Sequence, residues 1–318
     1  MKLANHILAA ALACAFAAAV PEALAQAASA PPAKKAAVTQ RTFATPEEAA
    51  TALAEAVRAK SVDGLLATVG PASGEWLFSG DSVADTNDWE KFLKAYEEKN
   101  SLDKQGDAKA VLKVGSDDWH FPAPIVKRGA RWAFDTNAGR EEIVNRRVGR
   151  NELDTIQTLL AIVDAQREYA ATDADGNGFA DYARRFLSTK GKKDGLFWPA
   201  ETGREPSPLG PLIAVASAEG YGKGSKPPPQ AYHGYHYRIL TSQGKDAPGG
   251  AYNYLVGDKL LGGFAVVAWP SSYGVSGVTT LLVNHDGVVY EKDLGAQTSA
   301  IAAAMTRFNP DATWRKSQ

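Results

Sequence analysis

From about Tyr232 to Leu294, apolar residues alternate with polar ones or run in short β-branched and aromatic blocks, and Gly, Pro, Asn or Asp closes each block. That pattern predicts consecutive strands. Asp286-Gly287, set between Thr280-Leu281-Leu282-Val283 and Val288-Val289-Tyr290, is a hairpin-turn signal. Upstream, the spacing is helical first. Thr45-Pro46-Glu47-Glu48 supplies an N-cap, a proline at the first helical position and a glutamate three residues after the cap. A helix to about Lys60 follows, with Ala50, Leu53, Ala54 and Val57 on one face. A second helix over 62–69 is stopped by Gly70-Pro71, and a third over 88–100 carries Trp89, Phe92, Leu93 and Tyr96 at helical spacing.

Strand patterning then appears over 110–114, over 121–127, where the prolines suit an edge, and over 131–135, with an Arg128-Gly129 turn before the last. From Glu141 to Tyr169 the helical spacing returns in a long stretch, one helix or two in series, that joins the two halves. Ile143, Val144, Val148, Leu153, Ile156, Leu159, Leu160 and Val163 form its apolar side, and Arg146, Arg147 and Arg150 its polar side. Tyr182, Phe186 and Leu187 suggest a short helix. A Pro/Gly-rich connection over 201–230 contains a helical piece near 209–219, and a loop of that length is where a binding surface would be sought first. The expected fold is therefore α+β: helices with a curved antiparallel sheet over 43–150, then a long helix packed on an antiparallel sheet over 151–318.

Composition narrows the function classes. With 318 residues, 45% of them hydrophobic and 22% charged, the chain can bury a large core. A net charge of −1, from 35 basic and 36 acidic residues, offers no field to attract nucleic acid, which is rejected as a partner. Lys2, an Ala-rich apolar run from Ile7 to Val20 and Ala23-Leu24-Ala25 read as a secretory signal peptide over 1–25. The apolar run is too short to span a bilayer, so the expectation is a periplasmic or secreted protein with no integral membrane span after cleavage. Cys14 lies inside the apolar run, and cleavage after Ala25 leaves no thiol. An Ala/Pro/Lys-rich, disordered lead-in is expected over 26–42.

The candidate chemistry centres on one acidic loop. Asp173, Asp175, Asn177 and Asp181 stand at positions one, three, five and nine of an EF-hand-like loop, with Gly178 at six and the Phe179 carbonyl at seven. Ca²⁺ takes such hard oxygens around a sharp turn. Position twelve is Arg184, where a carboxylate would be expected. The alternative is an Asx-turn that ends a helix, with Gly178 at positive φ. Calcium is the only cofactor this reading admits, and none is required.

Other constellations fall short of a catalytic set. His233 and His236 would point to opposite faces of a strand, and His285-Asp286 sits in a turn without a nucleophile. Ser271, Ser272 and Ser276 lack the nucleophile-elbow glycines, and no glycine group has phosphate-loop spacing. The expected role is a non-catalytic binding or scaffolding module whose partner is an envelope protein or polymer. The alternative is a hydrolase of envelope polymers using His285 or the aromatic surface.

Several motifs carry a resemblance. Phe121-Pro122-Ala123-Pro124, Arg146-Arg147-Val148-Gly149-Arg150-Asn151-Glu152-Leu153, Ala165-Gln166-Arg167-Glu168-Tyr169, Lys193-Asp194-Gly195-Leu196-Phe197-Trp198 and Ala247-Pro248-Gly249-Gly250-Ala251-Tyr252 resemble those of exported bacterial proteins with domain of unknown function 2950. The resemblance implies export and carries no catalytic residues. The order of helices and strands before Asp135 resembles the cone-shaped nuclear-transport-factor-2 fold. The half from Leu153 resembles the heads of type IV pilins and pseudopilins, some of which hold calcium in a loop, without the apolar N-terminal helix that drives fibre assembly.

Overall fold

The computed structural model describes residues 38–200, 205–222 and 231–317. The segment 1–25 expected to be a signal peptide and the expected lead-in as far as residue 37 lie outside these, as do parts of the Pro/Gly-rich connection. The fold is α+β, built around two hydrophobic clusters that share one long helix.

In the first cluster, α1 (Pro46–Arg58), α2 (Val62–Val69), the single turn α3 (Gly74–Leu77) and α4 (Ser82–Glu98) precede an antiparallel sheet. Thr45 Oγ1 accepts from the Glu48 amide at 3.1 Å, as the cap signal predicts, and the Glu48 carboxylate accepts from Ala44 N at 2.9 Å. Ala50, Leu53, Ala54 and Val57 are all buried. Gln40 and Arg41, at the end of the expected lead-in, are tied down: Gln40 Nε2 donates to the Val69 and Phe134 carbonyls, and Arg41 N to Ala67 O.

The sheet consists of β1 (Asn100–Lys104), β2 (Lys109–Val114), β3 (Trp119–His120), β4 (Ile125–Arg128) and β5 (Arg131–Phe134), in the order β1-β2-β4-β5 with β3 also on β2. Two expectations are corrected here. The helix read over 88–100 starts at Ser82, because Asp81 caps it by accepting from Val83 N and Ala84 N, both at 3.1 Å. The strand read over 121–127 begins only at Ile125 and is interior, between β2 and β5. Pro122 and Pro124 have no N–H to give a ladder, so they fall before the strand.

The long helix α5 (Ala138–Thr172) is continuous over 35 residues, about 52 Å at 1.5 Å per residue. Its first turns place Ile143 and Val144 against the first cluster, and its last turns bury Leu159, Ile162, Val163 and Tyr169 in the second. After α6 (Gly210–Ala218) come β6 (Tyr235–Leu240), the short ribbon β7 (Ser242–Gln243) with β8 (Tyr252–Asn253), and a second ribbon β9 (Leu255–Val256) with β10 (Lys259–Leu260). Then follow β11 (Ala265–Pro270), β12 (Thr279–Asn284), β13 (Val289–Asp293), α7 (Thr298–Ala304) and β14 (Arg315–Lys316). The main sheet is antiparallel, in the order β14-β13-β12-β11-β6.

β11 is buried at every position because both of its faces are covered. Its neighbour β6 shows how. Tyr237 and Arg238 are consecutive and point to opposite faces. Tyr237 OH reaches Thr155 on α5, whereas Arg238 donates to the Ala302, Ala303 and Met305 carbonyls at the end of α7, where a cation suits the helix dipole.

The short helix expected from Tyr182 does not form. Gln166 on α5, fully buried, donates to the Ala183 carbonyl and accepts from the Ala183 N–H, both at 2.8 Å. With both backbone groups of Ala183 so engaged, Tyr182 N bonded to Leu260 O, and the Arg185 and Phe186 carbonyls accepting from Leu196 N and Phe197 N, these backbone groups pair outside the segment and not in a helical turn.

Candidate functional site

Between the helices and the sheet of the first cluster lies a cavity of about 400 Å³. Leu53, Leu65, Trp89, Phe92, Phe121 and Ile143 wall it. The aromatic part of the wall is held by ring contacts: Phe78 edge-on to Trp89 at 5.4 Å, Phe92 tilted on Phe121 at 5.7 Å, and Phe121 edge-on to Phe134 at 5.7 Å between ring centres. Lys91, Asp117, Trp119, Arg146 and Arg150 line it with exposed side chains and so mark its mouth.

Two charged groups enter this apolar space from its walls. Asp85, on α4, is buried, and its carboxylate accepts from Ser79 N at 3.0 and 3.1 Å and from Ser79 Oγ at 2.7 Å. Burial nonetheless holds its pKa above the ordinary carboxylate value, against the pull of the Ser79 bonds and the Arg147 charge. Arg147, on α5, donates Nη1 to the Trp76 carbonyl at 2.8 Å. Burial lowers its pKa from the ordinary guanidinium value, and the charges of Asp85 and Asp88 act in the other direction. The sequence pattern does not reveal the cavity: it marks Trp89 and Phe92 only as an apolar helix face and Arg147 as part of a polar one. The legible sign was Asp85, which precedes Trp89 and Phe92 at helical spacing and places an acid on an apolar stripe.

The acidic loop follows α5 directly. Asp173 takes the left-handed conformation at φ 44° as the helix C-cap, and Gly176 and Gly178 also have positive φ. Asp173 accepts from Asn177 N and Gly178 N, both at 3.0 Å, and Asn177 Oδ1 accepts from Phe179 N at 2.9 Å. The Asn177 side-chain amide bridges Asp175 at 2.8 Å and Asp181 at 2.9 Å. So the loop brings Asp173, Asp175, Asn177, Phe179 and Asp181 together, and hydrogen bonds within it already join them. Among the described residues no group of three or more His, Cys, Asp or Glu side chains is arranged to hold a metal. Arg184 donates to the Asp258 carbonyl at 2.8 Å. Tyr169 beneath the loop has its pKa raised, first by burial and then by Asp175, Asp181, Asp194 and Asp173.

Of the histidines and serines considered for chemistry, His233, His236, Ser271 and Ser276 lie at one end of β11, where Ser271 N donates to Gly234 O at 2.9 Å, and His285 lies beyond the other end. His233 lies 3.6 Å from Asp154 and 3.7 Å from Glu219. His236 packs on Trp269 with ring centres 5.6 Å apart, and burial lowers its pKa. His285 is in the turn between β12 and β13, where Asn284 bonds Asp286. Ser271 and Ser276 bond each other at 3.2 Å.

The family motif 146–153 joins these regions. Arg147 lines the cavity, Asn151 donates to the Ser276 carbonyl at 2.8 Å, and Glu152 accepts from Val278 N and Thr279 N. A two-core α+β protein, with one helix shared by both cores and an apolar cavity in the first, is the class these features define. The chain belongs to the family of proteins of unknown function DUF2950, whose profile matches residues 40–317. No curated protein and no solved structure matches it. Among the described residues no helix is long and apolar enough to cross a membrane.

Proposed function

We propose that this is an exported protein of the bacterial cell envelope that acts as a non-catalytic binding module, with the cavity of the first cluster as its site. The observation that carries the reading is the cavity itself: about 400 Å³ walled by packed aliphatic and aromatic side chains, a size and lining suited to a small apolar ligand. His285 lies at the opposite end of β11 from His236, and no hydrogen bond among the described residues joins Ser271 or Ser276 to a histidine. This supports binding over hydrolysis, because acyl or glycosyl transfer needs a nucleophile, a base and an orienting group at one point. The helix-on-sheet layout around α5 supports a likeness of the second half to pilin heads in architecture.

A second reading concerns the acidic loop, for which the reading is a structural Ca²⁺ site formed by Asp173, Asp175, Asn177, Asp181 and the Phe179 carbonyl. It is favoured by the negative potential that four carboxylates impose on Tyr169, and by the engagement of Arg184 with Asp258.

Native mass spectrometry of the protein isolated from its own envelope tests the principal reading. A stoichiometric small-molecule adduct that denaturation releases is the expected result. Turnover of ester, peptide or glycan substrates by the purified chain would instead establish the hydrolase.

A further inference from the structure

We propose that the cavity of the first cluster takes a free single-chain fatty acid, its alkyl chain among Leu53, Leu65, Trp89 and Phe92 and its carboxylate on Arg147. The inference rests on the binding-module reading and names the ligand of that site.

Size comes first. An engineered cavity of about 150 Å³ holds benzene, so by simple scaling about 400 Å³ has room for on the order of fifteen carbon atoms. An apolar space of that size is a costly place for a cation unless something compensates it.

Charge selects the headgroup. The carboxylates that line the cavity are already engaged. Asp85 accepts three hydrogen bonds from Ser79, and Asp88 is paired with Arg150 at 3.0 Å and Lys91 at 3.9 Å. Asp117 is exposed at the mouth. Of the cations, Arg146 is paired with Glu142 and Arg150 with Asp88. Arg147 differs: its Nη1 donates to a neutral carbonyl, and the rest of its planar donor fork is turned to no carboxylate of the described residues within ion-pair distance. A fork of that shape matches a carboxylate with two parallel bonds, which an ammonium cannot do. A cationic amphiphile would meet acids that are already satisfied and an arginine that repels it.

Intrinsic tryptophan fluorescence reads the test, because Trp89 and Trp119 line the cavity. The mature chain is titrated with dodecanoate, dodecanol and dodecyltrimethylammonium, each below its micelle concentration. Dodecanoate is expected to bind at least about tenfold more tightly than the alcohol, as a charge-assisted pair in a water-poor site should provide. Arg147→Gln should weaken dodecanoate far more than dodecanol and so remove that advantage, and Arg147→Lys should restore only part of it. Equal affinity for acid and alcohol in the native protein would overturn the headgroup assignment and leave the binding module standing. Tightest binding of the ammonium would overturn it in favour of the acids. Failure of all three to bind would remove the module reading as well.

Discussion

The Asp81 carboxylate accepts a 2.7 Å hydrogen bond from the hydroxyl of Tyr221, 140 residues further along the chain. The same Oδ2 accepts from Gly234 N at 3.0 Å, while Oδ1 caps α4 through Val83 N and Ala84 N. One buried side chain thus starts a helix of the first cluster and holds the strand entry of the second. Ser271 Oγ reaching Ser79 O and Asn87 Nδ2 reaching Glu219 O reinforce the same seam.

Removing the hydroxyl alone, in Tyr221→Phe, should destabilise the chain by about 1–3 kcal/mol, since the acceptor is a buried side chain that loses a short hydrogen bond. Asp81→Ala should cost more, because it strands the Gly234 N–H and uncaps α4 together. Urea denaturation measures both. A change within about half a kcal/mol for Asp81→Ala, the range of ordinary surface substitutions, would show that the seam does not depend on this carboxylate.

Gly277 faces Tyr235 so closely that a Cβ would lie 2.1 Å from the phenolic oxygen and 2.6 Å from Cζ. Tyr235 is fully buried, and its hydroxyl donates to Thr279 O at 3.0 Å, so it has nowhere to retreat. Gly277→Ala is expected to lose roughly 1–3 kcal/mol as an overpacked core does. Trimming the ring in a Tyr235→Leu background should recover part of that loss, and the non-additivity of the pair is the measurable sign. Strictly additive losses would place the strain elsewhere.

The elements whose sidedness is local were legible before any coordinates. α1, α2 and α5, the hairpin around Asp286-Gly287 and the strands β6, β11, β12 and β13 of the second sheet follow from caps, periodicity and turn residues, whereas β14 lies beyond the patterned stretch. What escaped was set by partners remote in sequence. Ala183 cannot join a helix because Gln166 clamps its backbone, and α4 begins early because Asp81 is held by Tyr221 and Gly234. The site divides in the same way. The acidic loop is contiguous and could be read directly, whereas the cavity is assembled from α1, α2, α4, the sheet and α5, and its Arg147 resembles any other arginine on a helix until Trp76 and Asp85 are seen beside it.

For Ca²⁺ to enter the acidic loop, the Asn177 amide must turn so that oxygen rather than nitrogen faces Asp175 and Asp181. The ion would replace an amide bridge with stronger ligand bonds and relieve the potential on Tyr169. With Ca²⁺ at about a hundred times its dissociation constant, linkage gives roughly 2.7 kcal/mol, or a rise of roughly 5 °C in Tm for a chain of this size. Asp175→Asn or Asp181→Asn should abolish the rise. Equal midpoints in calcium and in chelator would remove the metal from the loop.

Asp85 sets a pH dependence whose sign follows from its direction of shift. Burial raises its pKa in the folded chain above the ordinary 3.8, with the Asp81 charge adding to the rise and Ser79 and Arg147 opposing it. The folded state therefore favours the neutral acid. Its contribution is fully present below 3.8 and is lost as pH rises through the raised value. Asp85→Asn fixes the side chain in an uncharged form, so the stability of the variant relative to the native chain should improve as pH climbs from about 4 towards neutrality. Urea midpoints of both proteins across that interval measure the trend. A gap between them that stays constant with pH would mean that Asp85 titrates alike folded and unfolded, and that the carboxylate at the wall of the cavity is as well solvated as one in water.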